Sequence, residues 1–368
     1  MSTKVPKNEY STEKLMEVFP GDIPEGVKAN ILNLGVSKRY LVSHTDLPLK
    51  SREAVLEENE LLDLCSEVCQ KAVEKADLSI KDIDYFITSY DASPFLCPSL
   101  SQLLIRKVGL KPHVRYANVQ GVACGAFAKS LELAQNYLAA HPRDTVLVCI
   151  SGVNSYWFQN QVRGIKNLME ISQINSLKNQ GKRRMELRKW VATMEFFLFG
   201  DGVASLILKN DGKGLSVRKI AEVTNLDSRD YLAGYARLAA TNEPFRFGFY
   251  SHLDKEIPNL GGKYTSVVLE NLLGKNVEKT MKNVKKWVIH TGSGKILNVL
   301  AEKHKIPREK IEESHKILRE YGNLAGASIP FILEEVVSKN VLSHGDYVLT
   351  VGYGWGFSAS ACLLECNV

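Results

Sequence analysis

The chain is predicted to be an α/β protein made of two similar halves, and three observations predict it. Strand-like apolar runs alternate with helix-period stretches along the length. The run Asp84-Tyr85-Phe86-Ile87-Thr88 is echoed by Lys286-Trp287-Val288-Ile289-His290, and Asp144-Thr145-Val146-Leu147-Val148 by Asp346-Tyr347-Val348-Leu349-Thr350. Within each half the two runs start 60 positions apart, with helical segments and a Gly/Ala-rich turn between them. Asn210-Asp211-Gly212-Lys213-Gly214 reads as a turn or linker, which divides the chain into residues 1–212 and 213–368.

In chain order, residues 8–34 read as polar helix broken by Pro and Gly, and no first strand is evident before them. Glu53 to Ala76 reads as a long helix with Leu56, Leu61, Leu64, Val68 and Ala72 on one face. Asp82 to Ser89 is an apolar strand, and Ser99 to Val108 a helix after Pro98. Val114 to Val119 is extended, and Ala128, Leu131, Ala134 and Leu138 then recur at helical spacing. Thr145 to Ile150 reads as a buried strand, and Ala204 to Leu208 as a strand after the turn Gly200-Asp201-Gly202. A basic, helical excursion at about 157–190 carries Arg163, Lys166, Lys178, Lys182, Arg183, Arg184, Arg188 and Lys189.

At 368 residues the chain suits two domains or one duplicated one. Its 45% apolar and 24% charged residues argue against disorder. A net charge of +6 fits acidic ligands such as phosphates better than a dedicated nucleic-acid surface. The start, Met1 to Lys7, has no apolar segment of the signal-peptide kind, and no apolar run reaches membrane-spanning length. Seven scattered cysteines suggest free thiols and a cytoplasmic protein. Cys65 and Cys69 share a helix face, where packing is a better reading than zinc.

Four stretches are candidates for chemistry. Cys124, in Gly121-Val122-Ala123-Cys124-Gly125-Ala126, lies between a strand and a helix, where the helix dipole favours a thiolate. A cysteine among alanines and glycines is also a common small core residue. His290 stands at the C-terminal end of a strand, where open α/β sheets place ligands, although structural histidines are commoner there. Asn323 opens a small-residue turn before a helix and could simply cap it. In Gly352-Tyr353-Gly354-Trp355-Gly356, alternating glycines allow close backbone approach or make a bend.

Taken in this order, these stretches resemble the condensing enzymes of the thiolase superfamily, in particular β-ketoacyl-ACP synthase III and the type III polyketide synthases. The resemblance runs from about Gly35-Val36-Ser37-Lys38-Arg39-Tyr40 to the C-terminus. His290-Thr291-Gly292-Ser293 and the 33-residue step to Asn323 are similar to polyketide synthases, whereas Gly322-Asn323 through Pro330 and Ala123-Cys124 are similar to synthase III. The synthase III His-Gln-Ala-Asn sequence is absent, and Gly352–Gly356 departs from the polyketide Gly-Phe-Gly-Pro-Gly loop.

The resemblance implies a five-layered αβαβα thiolase fold and a homodimer. It implies decarboxylative Claisen condensation of an acyl thioester with a malonyl-type thioester, on Cys124 as nucleophile with His290 and Asn323. It implies no metal or other cofactor, only CoA or carrier-protein thioesters. Phe199, in Phe199-Gly200-Asp201-Gly202, matches a gatekeeper phenylalanine, and Gly354 belongs to an oxyanion-binding loop. Cys97 stands where relatives place a bulky residue that crosses the dimer interface to line the partner's acyl pocket. Two alternatives share the fold. One is acyl transfer without decarboxylation or a 3-hydroxy-3-methylglutaryl-CoA synthase-type condensation, for which Ser89 to Ser93 offers Asp91 but no Glu. The other is a non-catalytic partner subunit, which would usually lack part of the triad. The basic excursion reads as a solvated face or a dock for an acidic carrier or the CoA phosphates.

Overall fold

The computed structural model describes residues 1–42, 58–90, 97–238, 249–274 and 283–367. In chain order the first half contributes β1 (Ser2–Lys4), β2 (Asn8–Ser11), α1 (Thr12–Glu17), α2 (Glu25–Leu32), β3 (Lys38–Leu41), α3 (Glu58–Lys75), β4 (Tyr85–Ser89), α4 (Leu100–Val108) and β5 (Arg115–Val119). It continues with α5 (Ala126–Ala140), β6 (Val146–Ser151), α6 (Ser155–Val162), α7 (Ile171–Ser176), α8 (Gln180–Leu198) and β7 (Val203–Leu208). The second half contributes β8 (Leu215–Thr224), β9 (Gly234–Leu238), β10 (Phe249–Leu253), α9 (Ile257–Leu273) and β11 (Val284–Ile289). It ends with α10 (Gly294–Lys303), α11 (Glu312–Tyr321), α12 (Ser328–Ser338), β12 (Tyr347–Gly354) and β13 (Ser358–Cys366).

β6 is buried at all of its positions, which is why it reads as a continuous apolar run; parallel strands covered on both faces have no polar side. It sits in a five-stranded sheet ordered β1-β7-β6-β4-β5, with β6, β4 and β5 parallel and β7 and β1 antiparallel at one edge. The second sheet, β11-β12-β13-β8, repeats this plan: a parallel pair, then two antiparallel strands. The stretch that would match β5 is taken up by α11 instead.

Helices α3 and α4 cover the outer face of the first sheet, α5 and α12 lie between the sheets, and α9 and α10 cover the outer face of the second. Phe127, Leu131, Ile329 and Ile332 of the middle layer pack with Val148, Ile150, Val288 and Val348 of the two sheets. Five layers, αβαβα, result.

Two expectations fail at the N-terminus. A first strand does exist, as β1, and residues 8–11 form β2 rather than helix, paired with β3. Ser2-Thr3-Lys4 has no apolar run; it is a strand because the edge of β7 offers unpaired backbone groups. Of the expected helix from Glu53, residues 53–57 lie outside the described residues. The basic excursion is largely helical, with Lys166, Lys178, Lys182 and Arg184 exposed and its apolar residues buried. Val162, Ile165 and Leu168 of the excursion, and Ala192, Met194, Phe196 and Phe197 that follow it on α8, bury against Leu15, Phe19, Val27 and Ile31, making a separate core beside the two sheets. Among the described residues, no helix is long and apolar enough to cross a membrane.

Candidate active site

After β5 the chain turns through Gly121 and reaches Ala123, which holds the left-handed φ of 45°. A 3-10 turn over Ala123–Gly125 then feeds α5. Cys124 sits in that turn, 9% exposed, ahead of the helix N-terminus, whose positive dipole end favours a thiolate. Bare backbone from β12 packs against the turn. A Cβ at Gly354 would come within 2.8 Å of the Val122 carbonyl oxygen and 2.6 Å of Ser358 Oγ, so only glycine fits.

His290 follows the last residue of β11, and its N–H donates to the Val351 carbonyl at 2.9 Å. Its ring is 3% exposed, and Nδ1 has no hydrogen-bond partner among the described residues. Burial disfavours the charged imidazolium and holds its pKa down to about 3, so the ring is neutral near pH 7.

Asn323 is fixed from both sides. Its N–H donates to Leu198 at 2.9 Å and its carbonyl accepts from Gly200 at 3.1 Å, so it pairs with Phe199 as an isolated bridge. Its side-chain Oδ1 accepts from the Ala325 N–H at 2.8 Å, which leaves the Nδ2 hydrogens as the donors it can offer. The turn it opens is therefore capped by the same side chain whose other end is available.

Cys124, His290 and Asn323 line one cavity of about 380 Å³, together with Phe199 and Gly354. A second cavity of about 340 Å³, lined by Gln120, Asn154, Trp157 and Tyr235 among others, also reaches Cys124. Cys124, Phe199 and Trp355 border both, so the sulfur sits where two chambers meet. Phe199 is held there by stacking on Phe158, with ring centroids 4.4 Å apart.

Behind Phe199, Asp201 is fully buried. It accepts from the backbone N–H groups of Val42, Asn154 and Ser155 at 2.9, 2.8 and 3.0 Å, and from the Ser155 hydroxyl. Burial still raises its pKa to about 6, against the opposing pull of those bonds. The carboxylate thereby ties three segments to the back of the site.

Cys97 is exposed and lines neither chamber of its own subunit. Asp91 lies outside the described residues. Two cavity residues escape the sequence reading. Trp355 lies within the glycine loop but has no pattern to mark it as a divider between chambers. Glu195 is a fully buried acid on α8 at the wall of the first chamber; the Ser251 hydroxyl donates to its Oε2, and Oε1 has no partner among the described residues. Burial raises its pKa to about 8, and the Ser251 bond opposes that rise. A charged residue in a basic helix gives no sequence signal of this.

Residues 275–366 match the family model described as 3-Oxoacyl-[acyl-carrier-protein (ACP)] synthase III C terminal, and residues 39–169 match that described as FAE1/Type III polyketide synthase-like protein. The 3,5-dihydroxyphenylacetyl-CoA synthase of Amycolatopsis orientalis is 24% identical over 376 residues, covering 99% of this chain and 92% of that protein. The β-ketoacyl-[acyl-carrier-protein] synthase III of Clostridium perfringens (strain SM101 / Type A) is 24% identical over 367 residues, covering 98% and 96%. Among solved structures, 1,3,6,8-tetrahydroxynaphthalene synthase from Streptomyces coelicolor A3(2), a bacterial type III polyketide synthase, superposes with a TM-score of 0.83 at 22% identity, covering 100% of this chain and 98% of that one. CsyB in complex with CoA-SH superposes with a TM-score of 0.81 at 16% identity, covering 100% and 98%.

Proposed function

We propose that this chain, a thiolase-like condensing enzyme related to β-ketoacyl-ACP synthase III and the type III polyketide synthases, joins an acyl thioester to a malonyl-type thioester by decarboxylative Claisen condensation, carrying the acyl group on Cys124. One observation carries this reading: Cys124, His290 and Asn323 come from three separate elements and line one cavity.

The sequence of steps follows from the chemistry of the three groups. The Cys124 thiolate attacks the starter carbonyl, the starter's own thiol leaves, and an acyl thioester remains on the sulfur. A malonyl-type thioester then occupies the first chamber. Its bond to the terminal carboxylate breaks, CO₂ departs, and the electron pair becomes an enolate. Neutral His290 and the Asn323 amide both offer N–H groups to the enolate oxygen, an arrangement that favours charge developing there. The enolate carbon attacks the acyl-Cys carbonyl, and Cys124 leaves as thiolate. The second oxyanion forms beside the Cys124 turn, against which Gly354 packs without a side chain. Phe199 and Trp355 divide the space at the sulfur, so the thioester arm and the growing chain have a chamber each.

CoA-SH in the CsyB complex supports CoA thioesters as substrates. Carrier-protein thioesters are the form that the synthase III relatives' names specify. The enzyme acts as a homodimer. Mass spectrometry of the intact chain, incubated with a panel of acyl-CoA and acyl-carrier starters, tests the reading. The expected result is a single acyl adduct on the Cys124 peptide, released on addition of malonyl-CoA with evolution of CO₂. Absence of any adduct across the panel, or an adduct that malonyl-CoA never discharges, would overturn it.

A further inference from the structure

The two chambers that meet at Cys124 differ in charge. The first is lined by Glu195, Asp254, His290 and Lys295, and its Asn33, Asp254 and Lys295 are exposed, so it opens to solvent and admits a thioester arm. No described Asp, Glu, Lys, Arg or His lines the second. Five aromatic side chains wall it instead: Trp157 and Phe158 of α6, Phe199 after α8, Tyr235 of β9 and Trp355 after β12. Apart from Gln120, Asn154 and Cys124, the other residues that line it are glycine or alanine, so the rings make up the bulk of the wall. The wall is pre-formed. Phe199 stacks on Phe158 with ring centroids 4.4 Å apart, and Asn154 is held by its N–H to Asp201 at 2.8 Å and its Nδ2 to the Gly152 carbonyl at 2.9 Å.

Given the condensation chemistry proposed for Cys124, we infer that the second chamber holds an aryl group and that the starter is an aromatic acyl thioester. The acyl group passes to Cys124 Sγ, the thioester bond to CoA breaks, and CoA leaves as the free thiol. A neutral wall disfavours a starter that brings its own carboxylate, because a charge taken out of water there meets no described cation. Uncharged acyl groups remain. A flexible alkyl chain gives up rotamer freedom when it is confined, whereas an aryl ring has little to lose. The ring also gains offset or edge-to-face contacts with the wall aromatics, beyond the effect of its buried area. A cavity of roughly 150 Å³ holds a benzene ring. At about 340 Å³, the second chamber has room for such a ring and for the carbons that condensation adds beside it.

The rate of Cys124 acylation in the full chain, read by intact mass and by release of free CoA, tests this. The probes are phenylacetyl-CoA, cyclohexylacetyl-CoA, hexanoyl-CoA and malonyl-CoA. The first two are alike in size and in carbonyl reactivity, but cyclohexyl has no π face, so the pair separates ring contacts from fit. Phenylacetyl-CoA should acylate Cys124 about tenfold faster than either saturated thioester at equal concentration, and malonyl-CoA should leave no adduct. Trp157→Leu should lower the phenylacetyl-to-cyclohexylacetyl ratio about fivefold, whereas Trp157→Phe, which keeps a ring, should retain most of it. Tyr235→Leu, at a half-buried position on β9, carries the same expectation if the Trp157 variant does not fold. A saturated thioester as fast as phenylacetyl-CoA, a malonyl adduct formed as readily, or a ratio that the leucine variants leave untouched would overturn the inference. Acylation without an aryl preference would overturn it alone, while silence from every thioester would overturn the condensation reading with it.

Discussion

The two halves build one backbone device and place different side chains on it. Ala123, at φ 45°, opens a 3-10 turn, and α5 begins at Ala126; Ala325, at φ 47°, opens another, and α12 begins at Ser328. Each position lies 202 residues beyond its counterpart. The middle of the turn is Cys124 in one half and Gly326 in the other, and the strand-end position is Thr88 in one and His290 in the other. Thr88 Oγ1 lies 2.6 Å from Ser101 Oγ and 2.7 Å from Asn118 Oδ1, so it is committed to structure, whereas His290 keeps a ring nitrogen without a partner among the described residues. The turns also abut. A Cβ on Gly326 would lie 2.6 Å from the Ala126 Cβ and 3.4 Å from the Ala123 carbonyl. Two helix N-termini meet back to back, with room for one side chain at the meeting point. Packing alone therefore forces the halves to differ at this position: the second must carry glycine where the first carries Cys124.

The largest test of that division removes the one reactive tip. Cys124→Ala should abolish both the acyl adduct and condensation, read by intact mass and by product formation. A stable thioester on Cys149 or Cys97 in that variant would show that the first half's turn is not the nucleophile's place.

Next in size is the donor half alone. Asn323→Ala removes an N–H donor to the enolate, so CO₂ release from a malonyl thioester should fall about 10²–10³-fold while self-acylation from a starter persists. If both steps survive unchanged, or both vanish, the halves do not divide the work in this way. The pH profile adds a check. His290 has its folded pKa depressed to about 3, so no limb of the decarboxylation profile between pH 5 and 8 should move to a new position in an Asn323 variant on its account. The same depression has a stability sign. An unfolded histidine takes up a proton below its ordinary 6.5 while the buried ring does not, so His290 lowers folding stability progressively as pH falls from 6.5 toward 3. His290→Gln should flatten that part of a denaturation-midpoint profile.

The abutment itself can be probed by stability. Gly326→Ala places its Cβ against Ala126 at the start of α5 and Ile150 of β6 and should cost about 1–3 kcal/mol in denaturant unfolding, the usual range for overpacking. Gly125→Ala, one residue from Cys124 on the other turn, meets nothing within 4 Å and has ordinary φ, so it should change stability by no more than about 0.5 kcal/mol. Equal effects from the two would mean that the tips do not compete for space.

Much of this asymmetry was legible in the sequence. β4 and β6 announce themselves as apolar runs because both of their faces are covered, and the 60-residue spacing repeats because each half wraps its middle-layer helix over the same strands. Cys124, His290 and Asn323 stand at strand ends and helix starts, which local pattern marks well. What escaped depends on partners distant in sequence. β1 is a strand only because β7 has a free edge. Glu195 reads as one more charge on a basic helix, and its burial follows from Ser251 and from α8 lying over the cavity. The excursion's charges suggested a solvated face or a dock for an acidic partner; its apolar residues, which form a core with α1 and α2, and the hairpin its arginines meet some 50 positions later had no local signal.

The smallest expected effect concerns a place where the comparison reaches beyond one chain. Cys97 precedes Pro98 and the Ser99 cap of α4 in the first half; it is exposed and borders neither chamber of its own subunit. Any influence on the acyl group must then come from a second copy, whose Cys97 would close the far wall of this subunit's pocket. A thiol at such a wall leaves space that a longer or branched acyl chain can fill, at about 0.8 kcal/mol for each buried CH₂. Cys97→Phe should refill that space and shift kcat/KM toward short starters, by about fourfold for each methylene the ring displaces. Dimer formation, measured by sedimentation, should be unaffected, because one side chain is a small part of an interface. The opposing case is that neighbouring side chains already close the wall, and the chain-length profile then stays as it is. Because the variant changes nothing inside its own subunit's chambers, a shifted profile in a dimer and an unshifted one in a forced monomer would identify the wall as the partner's contribution.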